Sequence, residues 1–330
     1  MCRLFKIINR VVGWPYLAVM AVRRWAYGKG FLRSYSAAVP VICVGNITTG
    51  GTGKTPMVAF VVKALQSAGR KPAIITRGYR AVDGKSDEAE LLGAMTGADV
   101  IVNPDRVAGA AEAVRRGADI IVMDDGYQHL RLRRDFNVVL IDASNPFGGD
   151  AGLPLGRLRE CPRTLRFADA VVITRSDTID ELALDGLLGR IAAYGGDVPV
   201  ARAVHSPVDL IDLNGDRKSL KLLDGKRIFA FCGLGNPAAF ERTLRQCGAE
   251  IAGMRLFGDH VHYTPAIAAE LSRQADACNA EMIVTTCKDG VKLSPEWFFK
   301  GIELFQLAIE MRLVGGEEFI SRVESLGLRR

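Results

Sequence analysis

The chain has 330 residues, 48% of them hydrophobic and 24% charged, which excludes a disordered polymer and allows two domains, each with its own core. The net charge is +6, yet residues 1–40 hold seven basic side chains and no acidic one, so the remainder carries 36 basic against 37 acidic groups; that near-neutral globule excludes a uniformly basic groove for nucleic acid. The seven cysteines are scattered without a C-x-x-C pair, which argues against a disulfide framework or structural zinc and fits the reduced thiols of a cytosolic chain.

Residues 1–39 form the first predicted region. Between Arg10 and Arg23 lie twelve residues without a charge, too few for a membrane span of about 20. Arg23-Arg24-Trp25 follows where a signal peptide would carry a small-residue cleavage site. The pattern predicts an amphipathic interfacial helix. Trp14, Tyr16, Trp25 and Tyr27 would sit at headgroup level, with Lys and Arg against anionic lipid.

From Pro40 on, Val/Ile-rich runs alternate with helix-like stretches. The runs are 40–45, 73–76, 99–102, 119–124, 137–142 and 170–174. They are continuous rather than alternating in polarity, as in strands buried on both faces. This predicts a phosphate-loop NTPase-like parallel α/β sheet over 40–199. Residues 200–226 break the rhythm and read as an extended linker. A second, smaller α/β domain is expected over 227–330.

After the first strand comes "NITTGGTGKTP", Asn46 to Pro56. Phosphate loops want a glycine where this chain has Thr48. The rest of the chemistry is present over Thr48, Thr49, Gly50, Gly51, Thr52, Gly53, Lys54 and Thr55. The glycines let backbone N–H groups turn toward phosphate oxygens, Lys54 reaches the β- and γ-phosphates, and the Thr55 hydroxyl can ligate Mg²⁺. Pro56 is tolerated in the first helical turn. Further on, "DIIVMDD" is an apolar strand ending in two acids. Asp124 by position, with Asp125 close behind, is the candidate partner of Mg²⁺. Gln128 and His129 follow at the expected ligand edge of the sheet. "TRSD" (174–177) is similar to the guanine-reading T-K-x-D, with Arg175 in place of Lys. "GLGNPA" (233–238) reads as a strand-to-helix turn with Asn236 as N-cap.

The basic-aromatic leader, "VGNITTGGTGKTP", "TRGY", "DRVAGA", "MDDGYQH", "LPLGRLRE", "GLGNPAAF", "FGDHVHYT" and "TTCKDGVKL" occur in the order found in tetraacyldisaccharide 4'-kinases. The chain resembles that family from about residue 15 to about 315, and threonine or serine at the first loop position is usual there. The resemblance implies transfer of the γ-phosphate of ATP, with Mg²⁺, to the 4'-hydroxyl of tetraacyldisaccharide 1-phosphate, a lipid A precursor. It implies that this happens at the cytoplasmic face of the inner membrane; a monomer is the expected state. Asp87 maps to the catalytic aspartate, with His260 as its imidazole partner from the second domain and Lys54 as the third catalytic group. The flanking pattern departs from the family's Gly-Asp-Glu-Pro: Ser86 and Ala89 surround Asp87-Glu88, with only seven residues between Tyr79 and Asp87. Tyr79, Glu88, Arg106, Gln128, His129, Arg159 and Glu160 fall on motif positions around the substrate. A sugar hydroxyl needs a positioned base more than a strong one, because the transition state is loose. Read from the loop alone, a membrane-recruited ATPase or GTPase switch is the alternative. The deviant-Walker kind carries a signature lysine where this chain has Thr49.

Overall fold

The computed structural model describes residues 2–78, 86–233, 237–258, 261–298 and 302–326, with side chains from residue 13. The chain divides into two compact units, Met1–His205 with Met311–Arg330, and Ser206–Glu310.

The first unit opens with helix α1 (Cys2–Gly28). Strand β1 (Val41–Asn46) leads through the glycine-rich loop into α2 (Lys54–Ser67). Then follow β2 (Pro72–Thr76), α3 (Asp87–Thr96), β3 (Asp99–Val102), α4 (Arg106–Arg115), β4 (Ile120–Asp124), β5 (Phe136–Asp142), β6 (Ala170–Thr174) and α5 (Glu181–Gly195). Strand β7 (Val200–Asp212) carries the chain into the second unit.

The first unit's strands run in the order β7-β6-β5-β1-β4-β2-β3, and every neighbouring pair is parallel. From β1 the chain skips one place to β2, continues outward to β3, returns to fill the gap with β4, and then places β5 on the other side of β1. The crevice beyond the C-terminal end of β1 is therefore a topological switch point, where open α/β sheets bind ligands. Side chains of β1 alternate between two cores. Val41 and Cys43 join the core under α4 and α5, which supply Ala110, Ala113, Leu184 and Ile191. Ile42 and Val44 join Met57, Val58 and Val62 of α2 on the other face. Strands covered on both faces need apolar residues at every position, which explains their continuous hydrophobic runs.

Helix starts follow local chemistry. The Asp105 carboxylate accepts from the N–H groups of Val107 (2.9 Å) and Ala108 at the start of α4, satisfying donors that the first turn leaves open.

In the second unit β8 (Arg217–Ser219) lies antiparallel to the end of β7. Then come β9 (Arg227–Cys232), α6 (Pro237–Gln246), β10 (Glu250–Leu256), α7 (Pro265–Ala277), β11 (Met282–Thr286), a single turn α8 (Cys287–Gly290) and β12 (Glu303–Val314). Their order is β10-β9-β11-β12, all parallel. Helix α6 covers one face with Phe240 and Leu244, and α7 covers the other with Leu271 and Ala275. The N-cap read at Asn236 lies outside the described residues.

Two boundaries differ from those expected. Residues 200–226, expected as an extended linker, hold β7, β8 and a short 3-10 turn, and the division between the units falls within β7. From Met311 the chain returns to the first unit. There α9 (Glu317–Glu324) buries Phe319 and Val323 against the α2 side, and burial of such side chains is worth about 1.5–3 kcal/mol each.

Among the described residues no helix is long and apolar enough to cross a membrane. Along α1, Trp14, Val19, Val22 and Trp25 are exposed, while Gly13 and Arg24 are buried. Arg24 was expected at a lipid surface with its basic neighbours; it is turned inward instead, because the Glu160 carboxylate lies 2.6 Å away.

Candidate active site

The phosphate loop closes on itself through a few hydrogen bonds. The Asn46 amide donates to Thr52 Oγ1 at 2.8 Å, and Thr52 N–H donates to the Gly50 carbonyl at 3.1 Å. Thr174 donates its hydroxyl to the Thr52 carbonyl at 2.9 Å, tying the loop to the end of β6. Left-handed backbone falls on Gly50 (φ 112°) and Gly53 (φ 85°), where a side chain would be strained. Thr48 has no such conformation. It is buried and forms an antiparallel bridge with Leu158, so a glycine is not required there. Lys54 and Thr55 open α2, and both are half-buried. An open cleft of about 250 Å³ lies against Thr48–Thr52, bounded by Asp142, Asn145, Gly148 and Arg157.

Asp124 and Asp125 end β4, next to β1, yet the two carboxylates meet different partners. Asp124 is 4% exposed. Its Oδ2 receives a long hydrogen bond from the Thr76 hydroxyl (3.4 Å), and its Oδ1 is buried without a partner. Burial, opposed by Lys54 and reinforced by Asp125 and Glu88, pushes the Asp124 carboxyl up to about 7. Asp125 takes a left-handed turn (φ 48°). Arg159 Nη1 donates to its two oxygens at 2.8 and 3.0 Å, and Lys54 Nζ lies 3.8 Å away. Burial works against its charge, but Lys54 and Arg159 prevail and hold Asp125 below the usual carboxylate range.

Beyond the acids the loop presents further polar atoms. Gln128 donates its amide to the Asn46 carbonyl at 2.8 Å, while its Oε1 is buried without a partner. His129 Nε2 is likewise unpartnered. Burial, with the charges of Arg106, Arg134 and Arg23, lowers His129 to about 4, so the ring is neutral at pH 7. Arg106, the first residue of α4, is buried. It donates to the carbonyls of Asn103 (3.2 Å) and Asp124 (3.4 Å) and leaves Nε unpartnered. Buried polar atoms without partners are uncommon in native proteins and ask for a ligand, an ion or water. Here four of them, on Asp124, Gln128, His129 and Arg106, belong to residues in or bonded to the segment that ends β4.

Asp87 opens α3 as an exposed residue, with Glu88 half-buried beside it. The charge of Glu88 acts on Asp124, so the start of α3 is within electrostatic reach of the β4 end. Glu160 is 2% exposed, and its carboxylate receives two hydrogen bonds from Arg24. Tyr79 and His260 lie outside the described residues.

Several neighbours of the loop escaped the sequence reading. Asn46 bonds Thr52, and the Arg157 carbonyl accepts from Thr49 N–H at 2.7 Å. Arg175 pairs with Asp142 and donates to the Gly51 carbonyl at 2.9 Å. Asn46 and Arg157 lie inside the quoted motifs and Arg175 inside "TRSD", but none of them had been given a role.

The family model described as tetraacyldisaccharide-1-P 4'-kinase matches residues 5–326. Among similar curated proteins, the tetraacyldisaccharide 4'-kinase of Geobacter metallireducens is 36% identical, with 94% of this chain and 95% of the relative covered. That of Syntrophus aciditrophicus is 38% identical over 96% of this chain and 91% of its own length. Among solved structures, LpxK from Aquifex aeolicus in complex with ATP superposes with a TM-score of 0.76 at 25% identity, covering 94% of this chain and 97% of that one.

Proposed function

Because the chain belongs to the tetraacyldisaccharide-1-P 4'-kinase family, we infer that it is an ATP-dependent kinase of lipid A biosynthesis. It transfers the γ-phosphate of ATP to the 4'-hydroxyl of a tetraacyldisaccharide 1-phosphate. One observation supports this reading most: a glycine-built phosphate loop and the unpartnered Oδ1 of Asp124 lie at the C-terminal edge of adjacent strands β1 and β4. A membrane-recruited ATPase or GTPase switch is not favoured.

We assign ATP to the loop from Thr48 to Thr55. The backbone N–H groups and Lys54 hold the phosphates, and α2 offers the positive end of its dipole. Mg²⁺ fits the residues present: a buried carboxylate oxygen without a partner calls for a cation, and Thr55 sits in the first turn of α2. Asp124 and Thr55 would hold it, while Asp125 is engaged by Arg159 and Lys54. Among the described residues no cluster of three or more His, Cys, Asp or Glu side chains forms a metal site, which suits an ion whose remaining ligands are phosphate and water. When bound, Mg²⁺ neutralises charge developing on the β- and γ-phosphates.

On the acceptor side we propose Asp87 as the base that takes the 4'-hydroxyl proton, with Glu88, Arg106, Gln128, His129 and Arg159 orienting the disaccharide. The neutral ring of His129 can donate or accept a hydrogen bond without adding charge. Glu160 acts through Arg24. Tyr79 and His260 keep the roles that the family resemblance implies. We further propose that the protein is a monomer that docks peripherally at the cytoplasmic face of the inner membrane. Trp14, Val19, Val22 and Trp25 of α1, with Phe31, would enter the interface, and the basic leader would meet anionic lipid.

The test is incubation with γ-labelled ATP and tetraacyldisaccharide 1-phosphate in detergent micelles. Label should appear in the lipid. Label in free phosphate alone would overturn the kinase reading.

A further inference from the structure

We propose that Arg24, with Arg23, is a positioning residue for phosphoryl transfer: it clamps the loop after β4 and couples the seat of α1 to the phosphate loop. The proposal rests on the kinase reading above.

Helix α1 already has close contacts that seat it. A Cβ added at Gly13 would meet the Gly152 carbonyl oxygen at 2.6 Å, and one at Gly152 would meet Leu17 Cγ at 2.8 Å. Arg24 does something different. Its Nε and Nη2 donate to Glu160 Oε2 at 3.0 and 2.6 Å. Nη2 also donates to the Tyr127 carbonyl at 3.1 Å, and the guanidinium lies 4.7 Å from the Tyr127 ring centre. Arg23 donates to the Gln128 carbonyl at 2.8 Å. Both carbonyls belong to the loop that begins at Asp125.

Two paths lead from that loop to the chemistry. Gln128 bonds the Asn46 carbonyl, and Asn46 bonds Thr52, so three hydrogen bonds link Arg23 to the phosphate loop. Glu160 follows Arg159 in sequence, and Arg159 holds Asp125 opposite Lys54. A buried ion pair is a weak source of stability, since desolvation offsets its attraction, but the planar fork of arginine fixes direction. That explains why this basic residue of α1 is turned inward with the side of the helix that packs at Gly13 and Leu17. Without Arg24 the loop carbonyl loses a donor and the buried Glu160 loses its ion pair, keeping the Thr164 hydroxyl as a neighbour.

The experiment uses the full chain with Arg24→Gln, Arg24→Lys and Glu160→Gln. For each, kcat and the KM values for ATP and for tetraacyldisaccharide 1-phosphate in micelles are measured, and folding is checked by circular dichroism. Misplacing the loop should lower kcat about 10- to 100-fold in Arg24→Gln and Glu160→Gln, with the lipid KM within about threefold of wild type. Arg24→Lys should fall between, since an ammonium keeps the charge but not the fork. Wild-type kcat with a raised lipid KM in the folded arginine variants would reduce Arg24 to an anchor and overturn the proposal. If Arg24→Gln does not fold, Arg24→Lys decides by the same readout. Wild-type protein that binds ATP without labelling the lipid would sink the kinase reading instead. The clamp would then be judged by calorimetric ATP affinity, and unchanged affinity in the variants would overturn it.

Discussion

Replacing Asp124 by asparagine tests the electrostatics of the site and its metal chemistry together. The Asp124 carboxyl is 4% exposed, with Oδ1 unpartnered. Burial is the chief reason that its pKa rises from 3.8 to about 7. That rise corresponds to a penalty of about 4 kcal/mol on the ionised form in the folded protein. The sign follows from the direction. A raised folded-state pKa costs nothing below the unfolded value, costs progressively more as pH rises between the two, and reaches its full cost above about 7. Asparagine has the same shape and no charge to bury. In metal-free protein the variant should match wild type near pH 4 and exceed it by up to about 4 kcal/mol near pH 8. At about 2–4 °C per kcal/mol, the melting temperatures should separate by about 8–16 °C at the alkaline end. Mg²⁺ with ATP should stabilise wild type more than the variant, and phosphoryl transfer by the variant should fall more than about 100-fold. Thermal unfolding by circular dichroism, in chelator across this pH range, measures the first effect. A gap that does not change with pH would refute the buried ionisation, and wild-type turnover by Asp124→Asn would refute its metal role.

Other outcomes follow from single contacts. A Cβ at Gly45 would sit 2.7 Å from Tyr127 Cβ and 2.9 Å from Tyr127 N. Gly45→Ala should therefore cost about 1–3 kcal/mol and weaken ATP binding; an unchanged melting temperature would show that β1 and the loop yield freely. Asp87→Asn should retain ATP affinity by calorimetry while losing lipid phosphorylation about 100-fold or more, and wild-type turnover would remove Asp87 as the base. Trp14→Glu with Trp25→Glu should reduce co-flotation with anionic vesicles, because both rings are exposed on α1, at 70% and 56%; equal flotation would place the docking surface elsewhere.

Much of the candidate site's geometry was legible because its residues are contiguous in the chain. Gly50, Gly53, Lys54 and Thr55 occupy one turn, and the apolar run ending at Asp124 declares a buried strand with an acid at its tip. The parallel sheet was legible too, since strands covered on both faces must be apolar throughout. The membership in a lipid kinase family was carried by short motifs read in order. Tertiary structure alone decided the rest. Asp124 and Asp125 are identical neighbours in sequence, but strand geometry buries one carboxylate with Oδ1 unpartnered while a left-handed turn delivers the other to Arg159 and Lys54. Thr48 looked like a lost glycine until its bridge to Leu158 showed that the backbone there needs no left-handed turn. Arg24 and Glu160 stand 136 residues apart, and each is compatible with water, lipid or a partner. Residue type determines what a side chain can bond to; only the packing of distant elements determines which partner it meets, and how dry that meeting is.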